Sequence, residues 1–451
     1  MEKKSLNRFV IFYILAASLI ARIILLFLPH PIWWDSAVYI GMAKYIYTFG
    51  REGIFESVRP LVWPLILGIF RATNIIFVGR ILEILFSLGI IFLTYKIADK
   101  LIDRETAVLS SIFIACSATF LFFSLKLYTE IPSTFFALLA IYFYLKNKYL
   151  ISGIITAVAF QTKFPQGIIF IPLLFSIIIK NINLKEKINY LLGFIVTICP
   201  LLIFNKIQYG SFTYTFIEAA AIVKDAGIWI FQQPWHYYLL GLLKENIFLL
   251  FALPGIIFMI NRRKYLISAI FILFLIYFSQ MPHKEYRFFI LFIPYICILA
   301  AYGIKNTIKH KNLVLALVLI ISLVSVSINF ISESTEDFDR ASEYYRFLEN
   351  KDIKNRVLIS DPTINLYLKK NAELLYYPVF NSSLAKYWQL EIAKSNIDYI
   401  FINSCEGGLI CPPTDPTCES EKIKLLKYLN RDYEKIYEKI QGRCEYIIFS
   451  S

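Results

Sequence analysis

The stretch that decides the fold is WWDSAVYIGMAKYIYTFGREGIFESVRPLVWP, residues 33–64, which carries acidic and basic residues between two apolar regions. It follows an apolar run, residues 9–28, that is about as long as a bilayer crossing requires, roughly 20 residues. That run ends at Pro29-His30-Pro31 and not at small residues, so we expect a retained first helix and no cleaved signal peptide. What residues 33–64 do depends on which side of the membrane they face.

The composition indicates a polytopic α-helical membrane protein. Hydrophobic residues make up 58% of the chain and charged residues 18%, and the mean hydropathy is +0.60. The surface of a soluble globule cannot accommodate so much apolar material. Apolar runs between charged breaks predict about eleven transmembrane helices, near residues 9–28, 76–97, 107–124, 131–146, 150–163, 166–180, 188–205, 237–260, 265–279, 288–304 and 312–330. The short runs 150–163 and 166–180 fit either a tilted pair or a broken re-entrant helix.

The distribution of Lys and Arg predicts the orientation. With the N-terminus in the cytoplasm, every alternate loop is basic, as cytoplasmic loops are. The tail from residue 331 onward then lies outside the cytoplasm. That tail holds 16 basic and 19 acidic residues, so the net charge of +13 comes from the membrane half. We therefore expect contact with membrane lipids and no binding of nucleic acid.

Residues 331–451 differ in composition from residues 1–330 and predict a small extracytoplasmic α/β domain. Strands are expected at 356–360 and 398–402, and helices near 336–350, 383–395 and 419–430. Four cysteines in this tail predict two disulfides with the pairing left open: Cys405, Cys411, Cys418 and Cys444. A metal site is the alternative, but the spacing lacks a CxxC pair.

Charged residues gather in the segments that the predicted topology places outside. Such residues near membrane depth are costly and are usually kept for a site. Within the first outer loop, residues 29–75, apolar spacing after Asp35 and the prolines after Arg59 predict two helices that lie along the interface. Further charged residues follow in later outer segments: Glu130, Lys163, His283, Lys284, Glu285 and Arg287.

Three motifs resemble one family. Arg59-Pro60-x-x-x-Pro64 and the Leu-Tyr-Thr-Glu turn at 127–130 are similar in layout to the GT-C superfamily of membrane glycosyltransferases, in particular protein O-mannosyltransferases and aminoarabinose transferases. HKEYRF at 283–288 resembles the HKE-x-RF motif of dolichol-phosphate-mannose-dependent mannosyltransferases of GPI and N-glycan assembly. The resemblance covers roughly residues 1–330 in organisation, and HKEYRF is its most specific part.

The resemblance implies an inverting glycosyltransferase. Its donor would be a polyprenyl- or dolichyl-phosphate hexose, such as mannose, with no nucleotide sugar used directly. Its acceptor would be an extracytoplasmic glycan, protein or lipid. Many members have paired acids in the first loop, whereas Ser36 follows Asp35 here, so a single base is favoured over a metal-bridging pair. The resemblance allows a divalent cation but requires none.

Transfer from a lipid phosphate needs a base for the acceptor hydroxyl and cations for the departing phosphate. Asp35 is the candidate base, and a partly dry interface is expected to raise its pKa. The candidate cations are Arg59, Lys163, Lys284 and Arg287, with Arg suited to bidentate contact. The remaining candidates are Glu130 and Glu285, which would orient the cations or bind sugar hydroxyls, His283 within the motif, and Trp34, which would stack on a sugar.

Each residue also has a structural interpretation. Asp35 and Glu130 are suited to cap helices, and Lys163 to reach from a helix end toward the interface. The HKEYR cluster fits a solvated turn, and tryptophans form interfacial belts without binding any sugar.

The alternative function is a flippase or transporter of lipid-linked saccharides. Such proteins usually have internal repeats and charges near the midplane of the membrane. We find no repeat, and the charges gather at one face with Glu83 and Arg80 as exceptions. An oligosaccharyltransferase is weakened by the small tail and by the missing acidic pair.

Overall fold

The helices follow the apolar runs. The computed structural model describes residues 2–28, 30–180, 182–227, 231–334, 342–351, 353–375, 380–404, 409–441 and 444–451. Its α-helices are α1 (Glu2–Leu26), α2 (Trp34–Tyr47), α3 (Val62–Gly68), α4 (Ile75–Leu101), α5 (Arg104–Ala115), α6 (Ala118–Phe123), α7 (Glu130–Leu145), α8 (Tyr149–Thr162), α9 (Phe170–Ile179), α10 (Leu184–Tyr209), α11 (Tyr214–Gly227), α12 (Tyr237–Glu245), α13 (Ala252–Asn261), α14 (Tyr265–Gln280), α15 (Ile293–Thr307), α16 (Lys311–Ser334), α17 (Ser342–Arg346), α18 (Ser382–Lys394) and α19 (Cys418–Asp432). Short 3₁₀ helices span Phe164–Ile169, Ile247–Phe251, Tyr286–Leu291 and Pro362–Leu366.

Several helices are long and apolar enough to cross a membrane. Within the described ranges there are four: Phe9–Leu26, Ile75–Leu101, Leu184–Tyr209 and Lys311–Ile328. The bent pair Tyr237–Glu245 and Ile247–Asn261, with 117° between its halves, makes up to five. Apolar helices of 10–17 residues stand between these spans. The chain is therefore a multi-pass integral membrane protein with fewer uninterrupted spans than the eleven predicted.

Two of the predicted helices are interrupted at polar residues, so their predicted continuity is wrong. The run 107–124 breaks at Ser117, whose Oγ accepts the backbone N–H three residues later at 3.1 Å. The run 237–260 breaks at Asn246, whose Oδ1 accepts the N–H two residues later at 3.0 Å. In each case the side chain caps a new helix, which competes with continuation of the old one.

The short helices predicted around Lys163 are separate. α8 ends at Thr162, Lys163 is extended with φ −154°, and a 3₁₀ segment with Pro165 near its start leads into α9. Pro fits such a start because the first N–H groups of a helix have no internal partner. The predicted helix 288–304 likewise begins within a 3₁₀ segment and becomes α15 only at Ile293.

Helix α2 of the first outer loop is buried between the membrane helices and the C-terminal domain. All residues from Asp35 to Ala43 are buried. Val38 and Met42 pack with apolar residues of the C-terminal domain, while Tyr39 and Ile40 pack with α3 and the turn before α7. The two helices predicted for this loop are present, but α2 has no solvent-facing side over this stretch because the C-terminal domain covers it.

The C-terminal domain contains a five-stranded mixed sheet in the order β2-β1-β3-β5-β4. Its strands are β1 (Arg356–Ile359), β2 (Glu373–Leu374), β3 (Ile397–Asn403), β4 (Glu434–Gln441) and β5 (Cys444–Ser450). β1 pairs in parallel with β2 and β3, whereas β5 runs antiparallel to β3 and β4. The predicted α/β character is confirmed, and β1, β3, α18 and α19 lie where the sequence placed them.

Three of the four cysteines predicted to form disulfides lie within the described residues. Cys411 and Cys418 are bonded, with Cα atoms 5.7 Å apart. Cys444 is also disulfide-bonded, and Cys405 lies outside the described residues. Of the helix predicted at 336–350, only the part from Ser342 is described.

Candidate active site

Asp35 lies in the first turn of α2, at the centre of a buried cluster of charged side chains. Its Oδ1 is 2.7 Å from Nη2 of Arg59, and its Oδ2 pairs with Nη1 of Arg287, which is 252 positions away along the chain. Trp33 occupies the N-cap position, and no side chain caps this helix. The interpretation of Asp35 as a helix cap is therefore wrong, and its carboxylate is held by two guanidinium groups.

The guanidinium of Arg287 is surrounded by acids. Besides the pair with Asp35, its Nη2 lies 2.6 Å from Oε1 of Glu285, and its Nε lies 3.6 Å from Oε1 of Glu130. Its central carbon lies 4.6 Å from the centre of the Tyr128 ring. Each of its three nitrogens thus faces a carboxylate, and a cation–π contact fixes its plane.

Glu130 begins α7 and pairs with Lys163, the residue that directly follows α8. Nζ of Lys163 lies 2.7 Å from Oε1 of Glu130, whose side chain is 1% exposed. No neutral group of the described residues donates a hydrogen bond to either oxygen of Glu130, and the N-cap of α7 is Thr129. Glu130 therefore does not cap its helix, and Lys163 pairs with an acid instead of reaching toward solvent.

The segment around Glu285 is an ordered part of the cluster. His283 Nε2 lies 2.6 Å from Oε1 of Glu285, and the imidazole stacks on Phe231 with ring centres 4.5 Å apart. The hydroxyl of Tyr238 donates to the backbone carbonyl of Glu285 at 3.1 Å. The interpretation of HKEYR as a solvated turn is therefore wrong.

Two predicted site residues lie apart from the cluster. Nζ of Lys284 donates to the backbone carbonyls of Gln233, at 2.9 Å, and of Met281. Its ammonium thus holds a neighbouring loop in place, and no ion pair with a described carboxylate is present. Trp34 packs against both apolar clusters of the C-terminal domain. The geometry supports neither phosphate binding by Lys284 nor stacking of a sugar on Trp34.

The pKa of Asp35 is lowered, so the expectation of a raised pKa is wrong. Burial alone would raise it, but the nearby charges of Arg287, Arg59 and Lys163 hold the pKa of this carboxyl well below its ordinary value. Burial also opposes ionisation of Glu285, whose pKa is likewise lowered, chiefly by Arg287 and His283. Both acids are therefore ionised among these cations.

Two members of the cluster were not predicted. Glu56 accepts a hydrogen bond from Nε of Arg59 at 2.9 Å, and Tyr128 carries the guanidinium of Arg287. The spacing of Glu56 three residues before Arg59 is the one available signal in the sequence. Tyr128 belongs to the Leu-Tyr-Thr-Glu turn, but no pattern shows that its ring faces a residue more than a hundred positions away.

The residues present do not form an evident metal site. Both oxygens of Asp35 are paired with guanidinium groups, and the described residues contain no group of three His, Cys, Asp or Glu side chains arranged to hold an ion. Arginines crowding an acid disfavour a cation at the same place.

Comparison with known proteins gives the family. Residues 8–368 match the model of the Alg9-like mannosyltransferase family. This range contains every residue of the charged cluster. The chain belongs to the Alg9-like mannosyltransferase family.

Among curated proteins, this member is 26% identical over 296 residues to GPI mannosyltransferase 3 of Debaryomyces hansenii, an alignment covering 59% of this chain and 53% of that protein. The chain thus spans about half the length of that relative. It is also 26% identical over 285 residues to an uncharacterized protein of Aquifex aeolicus, covering 61% and 66% of the two chains.

Solved structures show the fold of this family member. ArnT from Cupriavidus metallidurans bound to undecaprenyl phosphate matches with a TM-score of 0.70 and 10% identity, covering 98% of this chain and 97% of that chain. The Archaeoglobus fulgidus oligosaccharyltransferase matches with a TM-score of 0.56 and 11% identity, covering 88% and 69%. These matches show the fold, which is ArnT-like and includes the C-terminal domain.

Proposed function

We propose that this family member is a membrane glycosyltransferase that moves a hexose, mannose in the first instance, from a polyprenyl or dolichyl phosphate to an acceptor outside the cytoplasm. The observation that carries the proposal is the buried Asp35 held between Arg59 and Arg287, in a chain of this family and fold. The related folds support the donor class, since ArnT was solved with undecaprenyl phosphate and the Archaeoglobus enzyme with a dolichol-phosphate.

The cations of the cluster are suited to the departing phosphate. Arg59, Lys163 and Arg287 come from three separate segments and gather around Asp35 and Glu130. As the glycosidic bond breaks, negative charge grows on the phosphate, and fixed cations in a water-poor site stabilise it strongly. The phosphate would either replace Asp35 and Glu130 as the partner of these cations or bind the cations together with them.

Donor binding would then activate the base. Paired with the two arginines, Asp35 is ionised and weakly basic. A phosphate that engages the same guanidinium groups adds negative charge beside the carboxylate, which raises its pKa and makes it a better acceptor for the proton of the acceptor hydroxyl. This order would keep the base weak until a donor is present.

We further propose the predicted topology. The short and broken helices complete about eleven crossings, with a cytoplasmic N-terminus and an extracytoplasmic C-terminal domain. Residues 1–330 would form the catalytic module and residues 331–451 the outer domain. Because that domain packs on α2 next to Asp35, it is the natural place for acceptor selection. The acceptor would be a glycan, a protein or a lipid.

The test is sugar transfer or donor hydrolysis in liposomes with short polyprenyl-phosphate hexoses. We expect turnover by the wild type and none by Asp35→Asn. Asp103→Asn is the matched control, because Asp103 also carries an ion pair, to Lys305 at 2.6 Å, but lies outside the cluster. Full activity of Asp35→Asn would refute the assignment of the base. Absence of turnover with any donor, together with movement of labelled lipid between leaflets, would indicate a flippase.

A further inference from the structure

Glu83 is a buried acid in α4 that the proposed mechanism does not use. It is 0% exposed and lies in the longest of the apolar spans, where an ionisable residue is costly and usually kept for a reason. Its Oε2 accepts the backbone N–H of Leu127 at 2.7 Å. The acid therefore holds a point on the turn before α7, rather than a substrate group.

That turn has an unusual backbone held from several sides. Leu127 has φ +59°, a left-handed conformation that non-glycine residues rarely adopt and that persists only where the surroundings enforce it. The indole N–H of Trp63 donates to the carbonyl of Leu127 at 3.0 Å, and Ser36 Oγ donates to the carbonyl of Lys126. Glu83 accepts the backbone N–H of Leu127 itself. Both the N–H and the carbonyl of Leu127 are therefore held by side chains.

The residues that follow the turn face the charged cluster. Tyr128 lies under the guanidinium of Arg287, and Glu130 pairs with Lys163 and lies near Arg287. A change in the φ angle at Leu127 swings both side chains together, because they are one and three residues downstream. The positions of Tyr128 and Glu130 in the cluster thus depend on the hydrogen bond between Glu83 and the N–H of Leu127.

We propose that Glu83 is a positioning residue for the transfer reaction: its side chain holds the left-handed turn at Leu127, and the turn aims Tyr128 and Glu130 at Arg287 and Lys163. The inference rests on the proposed function for its effect on turnover. The role of Glu83 in holding the turn does not depend on that function.

The experiment compares Glu83→Leu with Glu83→Gln in the full-length protein. Gln keeps a carbonyl oxygen for the N–H of Leu127, whereas Leu has no acceptor. We expect kcat of Glu83→Leu to fall by roughly 10- to 100-fold with little change in the KM for the donor, since a misplacement of about 1 Å costs that much. Glu83→Gln should recover most of kcat. Ser87→Ala is the matched control for a polar residue buried on the same helix.

A spectroscopic readout separates the two proposals. With 5-fluorotryptophan incorporated, the Trp63 signal, assigned from Trp63→Phe, should shift in Glu83→Leu and stay in place in Glu83→Gln, while the Trp388 signal is unchanged in both. If no donor is turned over but the Trp63 signal shifts in this way, the proposed function fails and the role in the turn stands. If Glu83→Leu does not fold, Trp63→Phe, which removes the other hydrogen bond to Leu127, must lower kcat.

Three results would overturn the inference. The first is a folded Glu83→Leu, or a Trp63→Phe tested in its place, with wild-type kcat. The second is a Glu83→Gln as impaired as Glu83→Leu, which would mean that the charge matters and not the hydrogen bond. The third is a raised KM at unchanged kcat, which would place Glu83 in donor binding.

Discussion

Two buried acids, Glu130 and Glu245, are contacted by consecutive residues of the HKEYRF segment, Arg287 and Tyr286. The two acids differ in the kind of partner that surrounds them. Glu245 accepts hydrogen bonds from Oγ of Ser117 at 2.5 Å, from the backbone N–H and the hydroxyl of Thr119, and from the hydroxyl of Tyr286 at 3.4 Å. Glu130, by contrast, contacts the charged groups of Lys163 and Arg287 and receives no hydrogen bond from a neutral group of the described residues.

The difference distinguishes a structural acid from a candidate functional one. Neutral donors that saturate Glu245 compensate for its burial and tie α12 to the start of α6, and nothing in that arrangement needs to change during a reaction. Cations beside Glu130 are groups that an incoming phosphate also needs, so the same contacts can rearrange when a donor binds. Being buried is common to both acids, and the type of partner separates them.

The largest expected effect comes from making the same substitution at both acids. Glu130→Gln should lower transfer by roughly 10²- to 10³-fold, because Lys163 and Arg287 lose the charge that orients them. Glu245→Gln should retain near wild-type transfer per folded molecule, since the amide oxygen still accepts hydrogen bonds. Transfer rates normalised to folded protein make the comparison, and equal losses in both variants would abolish the distinction.

The next largest effect concerns the two cations of the motif. Arg287→Lys should lower transfer by roughly 10²-fold, because an ammonium group cannot face three carboxylates and stack on Tyr128 at once. Lys284→Met should affect thermal stability more than transfer, since Lys284 donates only to backbone carbonyls among the described residues. Measured kcat/KM and melting temperature test both variants. A larger loss of transfer in Lys284→Met than in Arg287→Lys would contradict the structural role given to Lys284.

The pH dependence should sharpen the role of Arg59. A pKa of Asp35 held below the ordinary value of about 4 means that kcat/KM does not fall on mild acidification through protonation of this acid. In Arg59→Gln one neighbouring cation is lost while Arg287 and Lys163 remain, so burial counts for more and the acidic limb should move to higher pH. An unchanged profile would show that Asp35 is not the group that titrates.

The smallest effect is on stability at the structural acid. Glu245→Leu leaves the donors of Ser117 and Thr119 without their acceptor in a buried setting, which should cost about 1–3 kcal/mol of unfolding free energy. Thermal unfolding in detergent should show a lowered transition, while transfer by the remaining folded protein stays close to wild type. A stable but inactive Glu245→Leu would instead place this acid in the reaction.

Much of the fold was predictable because its signals are local. Apolar runs predicted where most helices of residues 1–330 lie, and alternation predicted β1 and β3 of the C-terminal domain. The breaks at Ser117 and Asn246 were not predicted, since each depends on one side chain capping a new helix within an apolar run. β2, with two residues, is too short to leave a pattern.

The candidate site was predicted in its members more than in their arrangement. The structure brings together Asp35, Arg59, Glu130, Lys163, His283, Glu285 and Arg287, which the sequence placed on one side of the membrane. The sequence does not show which way neighbouring side chains point, so Lys284 and Arg287 were treated alike. It also does not show the combined field of three cations from distant segments, which reversed the expected pKa shift of Asp35.

The most direct measurement is a cryo-EM structure of the full-length protein with undecaprenyl phosphate. The account predicts phosphate density in contact with Arg59, Lys163 and Arg287, with at least one carboxylate of the cluster moved away from its present cation. Phosphate bound elsewhere, with the ion pairs of Asp35 and Glu130 unchanged, would contradict the assignment of this cluster as the site of transfer.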